Sequence, residues 1–158
     1  MIKFLKKIIK YIFKLFNLEI RRFYPELEQL NFEELYQKTL EGNVIVFDVG
    51  ANKGQSIEKF KKIFKNAIIH SFEPILFEFT NLQKKYSNEK NIILNNFALG
   101  HQEEEKNFYI NKYTGSSSFF KTIDNTDWIN LRSKQFGIKS DEFLKNTEKV
   151  PIKTIDKY

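Results

Sequence analysis

The segment Phe47–Gly54, which reads FDVGANKG, holds the residues whose types and spacing are most suggestive of chemistry. It follows an apolar run typical of a buried strand and precedes a stretch with helical periodicity. A glycine-containing turn between a strand and a helix lets a ligand approach the backbone, with the helix N-terminal amides facing it. The segment therefore predicts a binding site for a nucleotide-like ligand.

Two common phosphate-binding patterns do not fit this segment. The dinucleotide fingerprint G-x-G-x-x-G fails because Asn52 and Gln55 stand at the positions of its second and third glycines. The phosphate-loop pattern fails because no Gly-Lys-Ser/Thr follows four residues after Gly50. What remains is the pattern D-x-G-x-x-x-G, formed by Asp48, Gly50 and Gly54.

A carboxylate follows the next predicted strand. Glu73 lies 25 residues after Asp48, and a carboxylate at such a strand end can accept two hydrogen bonds from a ribose diol. Ligands of parallel sheets bind at the carboxyl ends of the strands, so Glu73 and the glycine turn are predicted to share one site. The alternatives are a plain tight turn at Gly50 and Gly54, and an ordinary surface role for Glu73.

The pattern D-x-G-x-x-x-G resembles motif I of the class I S-adenosylmethionine-dependent methyltransferases. The ordered segments FDVGANKGQ, HSFEP, NNFALG, GSSSF and KTIDKY are similar to the FkbM family of methyltransferases, over about Val44 to Tyr158. The resemblance implies S-adenosylmethionine as cofactor and a Rossmann-like α/β fold. It implies methyl transfer to a hydroxyl of a sugar, a glycan or another small-molecule acceptor.

The resemblance also implies roles for single residues. It places the motif I residues beside the methionine part of the cofactor, Glu73 on the ribose, and Asn96 with its neighbours beside the adenine. The cofactor-binding residues it implies are Asp48, Gly50, Ala51, Asn52, Gly54, Glu73, Pro74, Asn96, Ala98 and Leu99. Ser117 and Ser118 would lie on the substrate side, unless they form a plain polar loop. His101 is a weak candidate for the general base.

Composition limits the other possibilities. The chain has 158 residues, 41% of them hydrophobic and 29% charged, which is enough for one domain with a core. It has no cysteine, which excludes a disulfide scaffold, a thiolate metal site and a cysteine nucleophile. With only two histidines, a histidine-rich metal site is not expected either.

The excess positive charge lies in one segment. Residues 1–22 contain seven basic residues and one acidic residue, which accounts for the whole net charge of +6. The remainder of the chain is neutral. A neutral body argues against nucleic acid as a partner, because nucleic-acid binding needs an extended basic surface.

Residues 1–22 are predicted to form a basic amphipathic helix. Five lysines, at positions 3, 6, 7, 10 and 14, fall on one helical face, and phenylalanine, leucine and isoleucine fill the other. Residues 2–18 are expected to lie on an anionic membrane surface; the alternative is docking of the apolar face on the domain core. The recurring lysines exclude a transmembrane helix and a standard signal peptide. The expected location is cytoplasmic, with peripheral attachment to the inner face of the membrane.

The rest of the chain predicts a partial doubly wound α/β sheet. A helical lead-in, 23–43, contains a helix over 32–40. Buried strands are predicted at 44–49, 67–72 and 91–97, and helices at 55–65 and 77–86. Short strands are expected at 106–110 and 117–120, a helical or irregular stretch at 126–146, and an extended segment at 150–155.

Residues 44–158 are expected to be the N-terminal part of a methyltransferase domain. The resemblance places a lysine-aspartate-glutamate-glycine segment and strands four to seven after the position of Tyr158. The domain would thus be truncated before strand four. Three functional classes remain open: an O-methyltransferase, a non-catalytic membrane-associated remnant that binds the cofactor, and a dinucleotide enzyme, which Asn52 and Gln55 disfavour.

Overall fold

The computed structural model describes residues 9, 11, 13, 32–40, 42–123 and 126–158. The chain divides into two compact units, Met1–Thr39 and Leu40–Tyr158. In the first unit Ile9, Tyr11 and Phe13 are helical and exposed, and helix α1 spans Phe32–Thr39. The remainder of the predicted amphipathic helix 1–22 lies outside the described residues, as does the lead-in before α1.

The second unit begins with three strands and two helices in alternation. Strands β1 (Ile45–Val49), β2 (Ile68–Phe72) and β3 (Ile92–Asn95) form a parallel sheet with β2 in the centre. Helices α2 (Gln55–Ile63) and α3 (Leu76–Lys85) lie between them in sequence. The predicted strands and helices are therefore confirmed within about two residues, as is the parallel pairing of the first two strands.

One face of this sheet carries the core. Buried side chains from all three strands, among them Val46, Ile69 and Ile92, pack against Ile57 of α2 and Leu82 of α3. Helix α2 presents an apolar stripe because Ile57 and Phe60 lie at helical spacing, and α3 contributes Leu82. The α/β class is confirmed.

The opposite face of β1 is open, which corrects the prediction of strands buried on both faces. Burial alternates along β1, and Ile45, Phe47 and Val49 are 57%, 48% and 61% exposed. Since successive side chains point to opposite faces, a continuous apolar run buries only the side that another element covers. Among the described residues, α2 and α3 both cover the same side.

A second sheet follows the first. Strands β4 (Ala98–Leu99), β5 (Glu104–Asn111) and β6 (Leu144–Lys153) form it in the order β4-β6-β5. β5 and β6 are antiparallel, with an irregularity at Ile110 and Asn111, and β4 is parallel to β6. A small second core joins this sheet to the residue that precedes α3. It contains Ile75, Phe108, Ile110 and Val150.

The third strand is shorter than predicted. The amide of Asn96 donates to the backbone carbonyls of Glu73 and Pro74, at 2.9 and 3.2 Å, and holds the chain in a bend. Ala98 and Leu99 then leave the first sheet and pair with Ile152 and Lys153 of β6. The predicted strand 91–97 thus ends at Asn95, and the two residues that follow its predicted end form a separate strand in the second sheet.

The predicted strand 117–120 is wrong. Only an isolated bridge joins Ser118 to Tyr109. The serine hydroxyls here bond to nearby backbone groups, which competes with a regular ladder: Ser118 Oγ accepts from the Phe120 amide at 3.0 Å, and Ser117 Oγ accepts from the Asn111 amide at 3.0 Å.

The polar stretch 126–146 resolves into distinct elements. Helix α4 spans Asp127–Phe136, begins at the cap Thr126, whose hydroxyl accepts from the Ile129 amide, and ends at Gly137 in the left-handed conformation. Serine or threonine at the start and glycine at the end are the usual helix boundaries. Among the residues that the structure describes, none of the helices has both the length and the hydrophobicity of a membrane span.

Candidate functional site

The loop between β1 and α2 is held against the end of β2. Gly50 and Gly54 have φ angles of 84° and 81°, and Asn52 has a φ of 46°. The backbone amides of Gly50 and Ala51 both donate to the Phe72 carbonyl, at 2.9 and 3.1 Å. Glycine fits the left-handed conformation without a steric penalty, so the sequence permits this tight loop.

The Glu73 carboxylate lies directly behind this loop. The backbone amide of Asn52 donates to Oε2 at 2.7 Å, and the backbone amide of Ile75 donates to Oε1 at 2.8 Å. Glu73 is only 3% exposed. Burial raises the pKa of this carboxyl, the two backbone hydrogen bonds lower it, and the charges of Glu78 and Asp48 raise it further. The net direction is upward, because desolvation of the charged form is the largest cause.

A cavity of about 210 Å³ opens in front of Glu73, at the carboxyl ends of β1 and β2. This is the edge at which ligands of parallel sheets bind. Its walls combine apolar side chains with the loop backbone and a few polar groups. The lining residues are Val49, Gly50, Asn52, Phe72, Glu73, Pro74, Ile75, Ala98, Leu99, Phe108, Thr114, Gly115, Ser117 and Phe119.

Seven of the residues singled out from the sequence line this cavity. They are Gly50, Asn52, Glu73, Pro74, Ala98, Leu99 and Ser117. They come from four separate stretches of the chain, and the fold brings them to one place. Their roles as cofactor or substrate contacts stay predictions.

Asp48, Ala51 and Gly54 lie behind the cavity. Asp48 accepts a hydrogen bond from the Ser71 hydroxyl at 3.3 Å and is 6% exposed, so it joins β1 to β2. Burial raises the pKa of the Asp48 carboxyl, and hydrogen bonds from Ser56 and Ser71 partly offset this. Ala51 is part of the core. Gly54 packs against α3 and the residue after it, since a Cβ there would lie 3.0 Å from Leu82 and 2.6 Å from the hydroxyl oxygen of Tyr86.

Three further predicted residues also lie outside the cavity lining. Asn96 holds the bend after β3, and Ser118 bonds to the backbone of Phe120. His101 is exposed in the loop after β4. The cavity therefore has no histidine among its described lining residues, and the general base stays unassigned.

Two residues beside the cavity, Thr114 and Glu78, are not predicted from the sequence. The Asn52 side-chain amide donates to Thr114 Oγ1 at 3.0 Å, and the Thr114 hydroxyl donates to Glu78 Oε1 at 2.8 Å. Glu78 is 3% exposed. This relay ties the loop after β1 to α3 and to the turn Thr114–Ser116. No local motif indicates these hydrogen bonds, because the three residues are far apart in sequence. The one available signal was Glu78, an acidic residue on the buried side of a helix.

The residues present fit a ribose-containing cofactor. A carboxylate has about four lone-pair sites, and the two backbone amides occupy two of those of Glu73. The remaining sites can accept hydrogen bonds from a diol on the cavity side. Beyond Gly50, where a Cβ would meet no atom within 4 Å, the loop leaves open space for a ligand. Within the described residues, no group of three or more His, Cys, Asp or Glu side chains could hold a metal ion.

Comparisons with known proteins give one finding. The family model described as the methyltransferase FkbM domain matches residues 48–158. Searches of curated proteins and of solved structures gave no match. The matched region contains Asp48, the glycine loop, Glu73 and every other residue that lines the cavity. Because it covers more than half of the sequence, the chain belongs to the FkbM family of methyltransferases.

Proposed function

We propose that this chain binds S-adenosylmethionine in the cavity before Glu73 and serves the transfer of its methyl group to an acceptor hydroxyl, which loses its proton while S-adenosylhomocysteine leaves. The observation that carries the proposal is the Glu73 carboxylate, held by two backbone amides at the cavity wall with acceptor sites left over. Glu73 would hold the ribose hydroxyls, and Gly50 and Asn52 would border the methionine part. Ala98 and Leu99 would border the adenine.

The cofactor supplies an activated methyl group on a sulfonium. The protein's part is then to align donor and acceptor and to exclude water, since a well-oriented pair reacts far faster than free molecules. The apolar wall formed by Phe72, Phe108 and Phe119 serves the exclusion of water. Thr114 and Ser117 line the same cavity and are proposed to orient an acceptor by hydrogen bonding.

The acceptor and the wider fold are part of the proposal. The acceptor is a hydroxyl of a sugar, a glycan or another small molecule, as the family resemblance implies. The sheet β1-β2-β3 is proposed to belong to a Rossmann-like doubly wound arrangement. Its parallel pairing and the cavity at its carboxyl edge support this.

Attachment to a membrane is a separate part of the proposal. The lysines on one face of residues 2–18 would contact anionic headgroups, with the apolar face entering the interface. Such attachment would bring the cavity to lipid-linked acceptors at the inner face of a cytoplasmic membrane.

Calorimetric titration with S-adenosylmethionine tests the site. Glu73→Ala should weaken binding by about 2 kcal/mol, roughly thirtyfold, because the charge-assisted bonds to the ribose are lost. Glu105→Ala is the matched control, since Glu105 is exposed and outside the cavity lining. It should leave the affinity unchanged. Equal affinity of the Glu73 variant and the unaltered chain would remove Glu73 from the site.

Titration with NAD separates the methyltransferase from a dinucleotide enzyme. The loop with Asn52 and Gln55 lacks two glycines of the dinucleotide fingerprint. We expect saturable binding of S-adenosylmethionine and none of NAD. The reverse order of affinities would contradict the proposal.

A cofactor-binding module without catalysis is the second candidate. The observation in its favour is that Glu73 is the sole ionisable side chain among the described cavity residues. The proposed hydrogen bonds to the ribose would occupy it, which leaves none of these residues as a general base. Turnover of S-adenosylmethionine with a panel of sugars and glycans distinguishes the two. Binding without turnover on any acceptor would favour the module.

A further inference from the structure

A second cavity shares a lining residue, Thr114, with the first. It has a volume of about 440 Å³, within the ordinary range for small-molecule sites. Its lining includes Thr114, which also lines the cavity before Glu73. The relay from Asn52 through Thr114 to Glu78 connects a residue that lines the first cavity to one that lines the second. We call this second cavity the lysine groove.

Four lysines line the lysine groove. They are Lys53, Lys85, Lys112 and Lys145. Each comes from a different part of the fold: the loop after β1, the end of α3, the segment after β5 and the start of β6. The body of the chain is neutral overall, so four lysines around one concavity are a local concentration of charge. A concave site lined by one sign of charge raises the local concentration of the opposite ion.

Two of these lysines are already paired with carboxylates. Lys85 Nζ lies 3.1 Å from Glu58, and Lys112 Nζ lies 2.7 Å from Glu142. Lys53 and Lys145 form no ion pair with any carboxylate in the described part of the chain. Both are exposed. The groove thus keeps two lysine ammonium groups available for an anion.

The other residues that line the groove indicate where an anion would bind and which further contacts the ligand would make. Glu78 is the one acidic residue among the described lining, and its Oε1 accepts the hydrogen bond from Thr114. An anion would therefore bind on the lysine side, away from Glu78. Lys145 Nζ lies 5.7 Å from the centre of the Phe77 ring, which is 65% exposed. That exposed ring can pack against an apolar or planar part of a ligand.

We infer that the lysine groove binds the phosphate-bearing part of a small molecule, and that this molecule is the methyl acceptor. Lysine ammonium groups bind phosphate as point charges, without the planar geometry that arginine imposes. The shared residue Thr114 would bring the acceptor to the edge of the cavity before Glu73. That this anion is the acceptor rests on the proposed function, whereas binding of an anion by the groove does not.

Titration of the purified chain with inorganic pyrophosphate at constant ionic strength tests the inference. The double variant Lys53→Gln with Lys145→Gln should weaken binding tenfold or more, because it removes both unpaired ammonium groups. Lys62→Gln with Lys90→Gln is the matched control. It removes the same charge from two exposed lysines outside the groove, and should change the affinity less than twofold.

The double variant alters Lys53, which lies in the loop after β1. A single variant at Lys145 tests the groove without a change in that loop. Lys145→Glu alters an exposed position on β6 and should also weaken pyrophosphate binding tenfold or more. Equal losses in the groove variants and the control would mean diffuse attraction to the whole surface and would overturn the inference. So would the absence of saturable binding to the unaltered chain.

Two further titrations separate this inference from the proposed function. S-adenosylmethionine should bind the groove variants as it binds the unaltered chain. If pyrophosphate binds the groove while S-adenosylmethionine binds nowhere, the proposed function fails and the anion site stands. Glucose and glucose 1-phosphate then test the ligand class: the groove should favour the phosphorylated sugar, and equal weak binding of both would overturn the assignment to a phosphate.

Discussion

At the residue scale, the protonation state of Glu73 determines whether the cavity offers an ionised carboxylate to a ligand. Burial raises the pKa of this carboxyl above its ordinary value of 4.5. A carboxyl whose pKa is raised by folding stabilises the fold below its ordinary value and loses that contribution as pH rises through the raised value. A ligand that donates hydrogen bonds to the ionised carboxylate compensates for its desolvation.

We therefore expect the affinity for S-adenosylmethionine to depend on pH. Ribose hydroxyls bind the ionised form of Glu73 better, so affinity should fall as pH falls through the raised pKa. Calorimetric titrations at a series of pH values from the ordinary pKa of 4.5 upward measure this, since burial raises the pKa of the carboxyl. Glu73→Gln does not titrate and should show a flat profile. The same decline in both proteins would assign the pH dependence to another group.

At the element scale, the loop after β1 is set by its packing on α3. The Tyr86 hydroxyl, just after α3, donates to Glu58 of α2 at 2.8 Å and lies 3.2 Å from the Gly54 carbonyl. Gly54 thus sits where two helices and the loop meet. This is a position where both the backbone conformation and the space require glycine.

Gly54→Ala should destabilise the protein more than Gly42→Ala. Both glycines have φ near 80°, so each substitution costs about 1 to 2 kcal/mol in conformation. A Cβ on Gly54 would also lie 2.6 Å from the Tyr86 hydroxyl and 3.0 Å from Leu82, whereas one on Gly42 meets nothing within 4 Å. The clash adds roughly 1 to 3 kcal/mol. Urea unfolding of the two variants measures the difference, and equal losses would show that the loop relaxes freely.

At the scale of the whole molecule, Tyr158 connects the segment after β6 to the first sheet. Its hydroxyl lies 2.7 Å from Nδ1 of His70 and accepts from the Asn95 amide at 3.0 Å. Its ring packs edge-on against Phe72, with centroids 5.1 Å apart. This contact lies on the sheet face that α2 and α3 leave open.

Tyr158→Phe should lower the free energy of unfolding by about 0.5 to 1.5 kcal/mol, the usual net value of a hydrogen bond. Tyr158→Ala should cost more, because the ring contact with Phe72 is lost as well. Tyr113→Phe is the control, since the Tyr113 hydroxyl makes no hydrogen bond to a described residue. Thermal unfolding that is unchanged in both Tyr158 variants would mean that this contact contributes nothing to the fold.

The N-terminal segment gives a second prediction at this scale. The full chain should bind vesicles that contain anionic lipid and leave them as salt rises, because each lysine near such a surface contributes about 1 kcal/mol. Exchange of Lys3, Lys6, Lys7, Lys10 and Lys14 for glutamine should abolish co-sedimentation. Exchange of five lysines from the body should not. Binding that is indifferent to lipid charge would rule out attachment to an anionic membrane through these lysines.

Much of the first half of the domain follows from local patterns. Apolar runs and helical spacing predict β1, α2, β2 and α3 within about two residues, because periodicity and boundary glycines act over a few residues. The candidate site residues Gly50 and Glu73 are also predicted by local patterns, since each follows the end of a strand. The parallel sheet then brings both to one edge.

The tertiary structure alone decided what depends on contacts between distant residues. The pairing of Ala98 and Leu99 with β6 joins residues more than fifty positions apart, and no local signal distinguishes it from the end of β3. The contacts of Thr114 with Asn52 and Glu78 also join residues that are distant in sequence, and no local signal indicates them. A sequence pattern indicates that a side chain is apolar or charged, but which element covers or faces that side chain depends on long-range packing. That is why the open face of β1 and the four lysines around one groove became visible only in the folded chain.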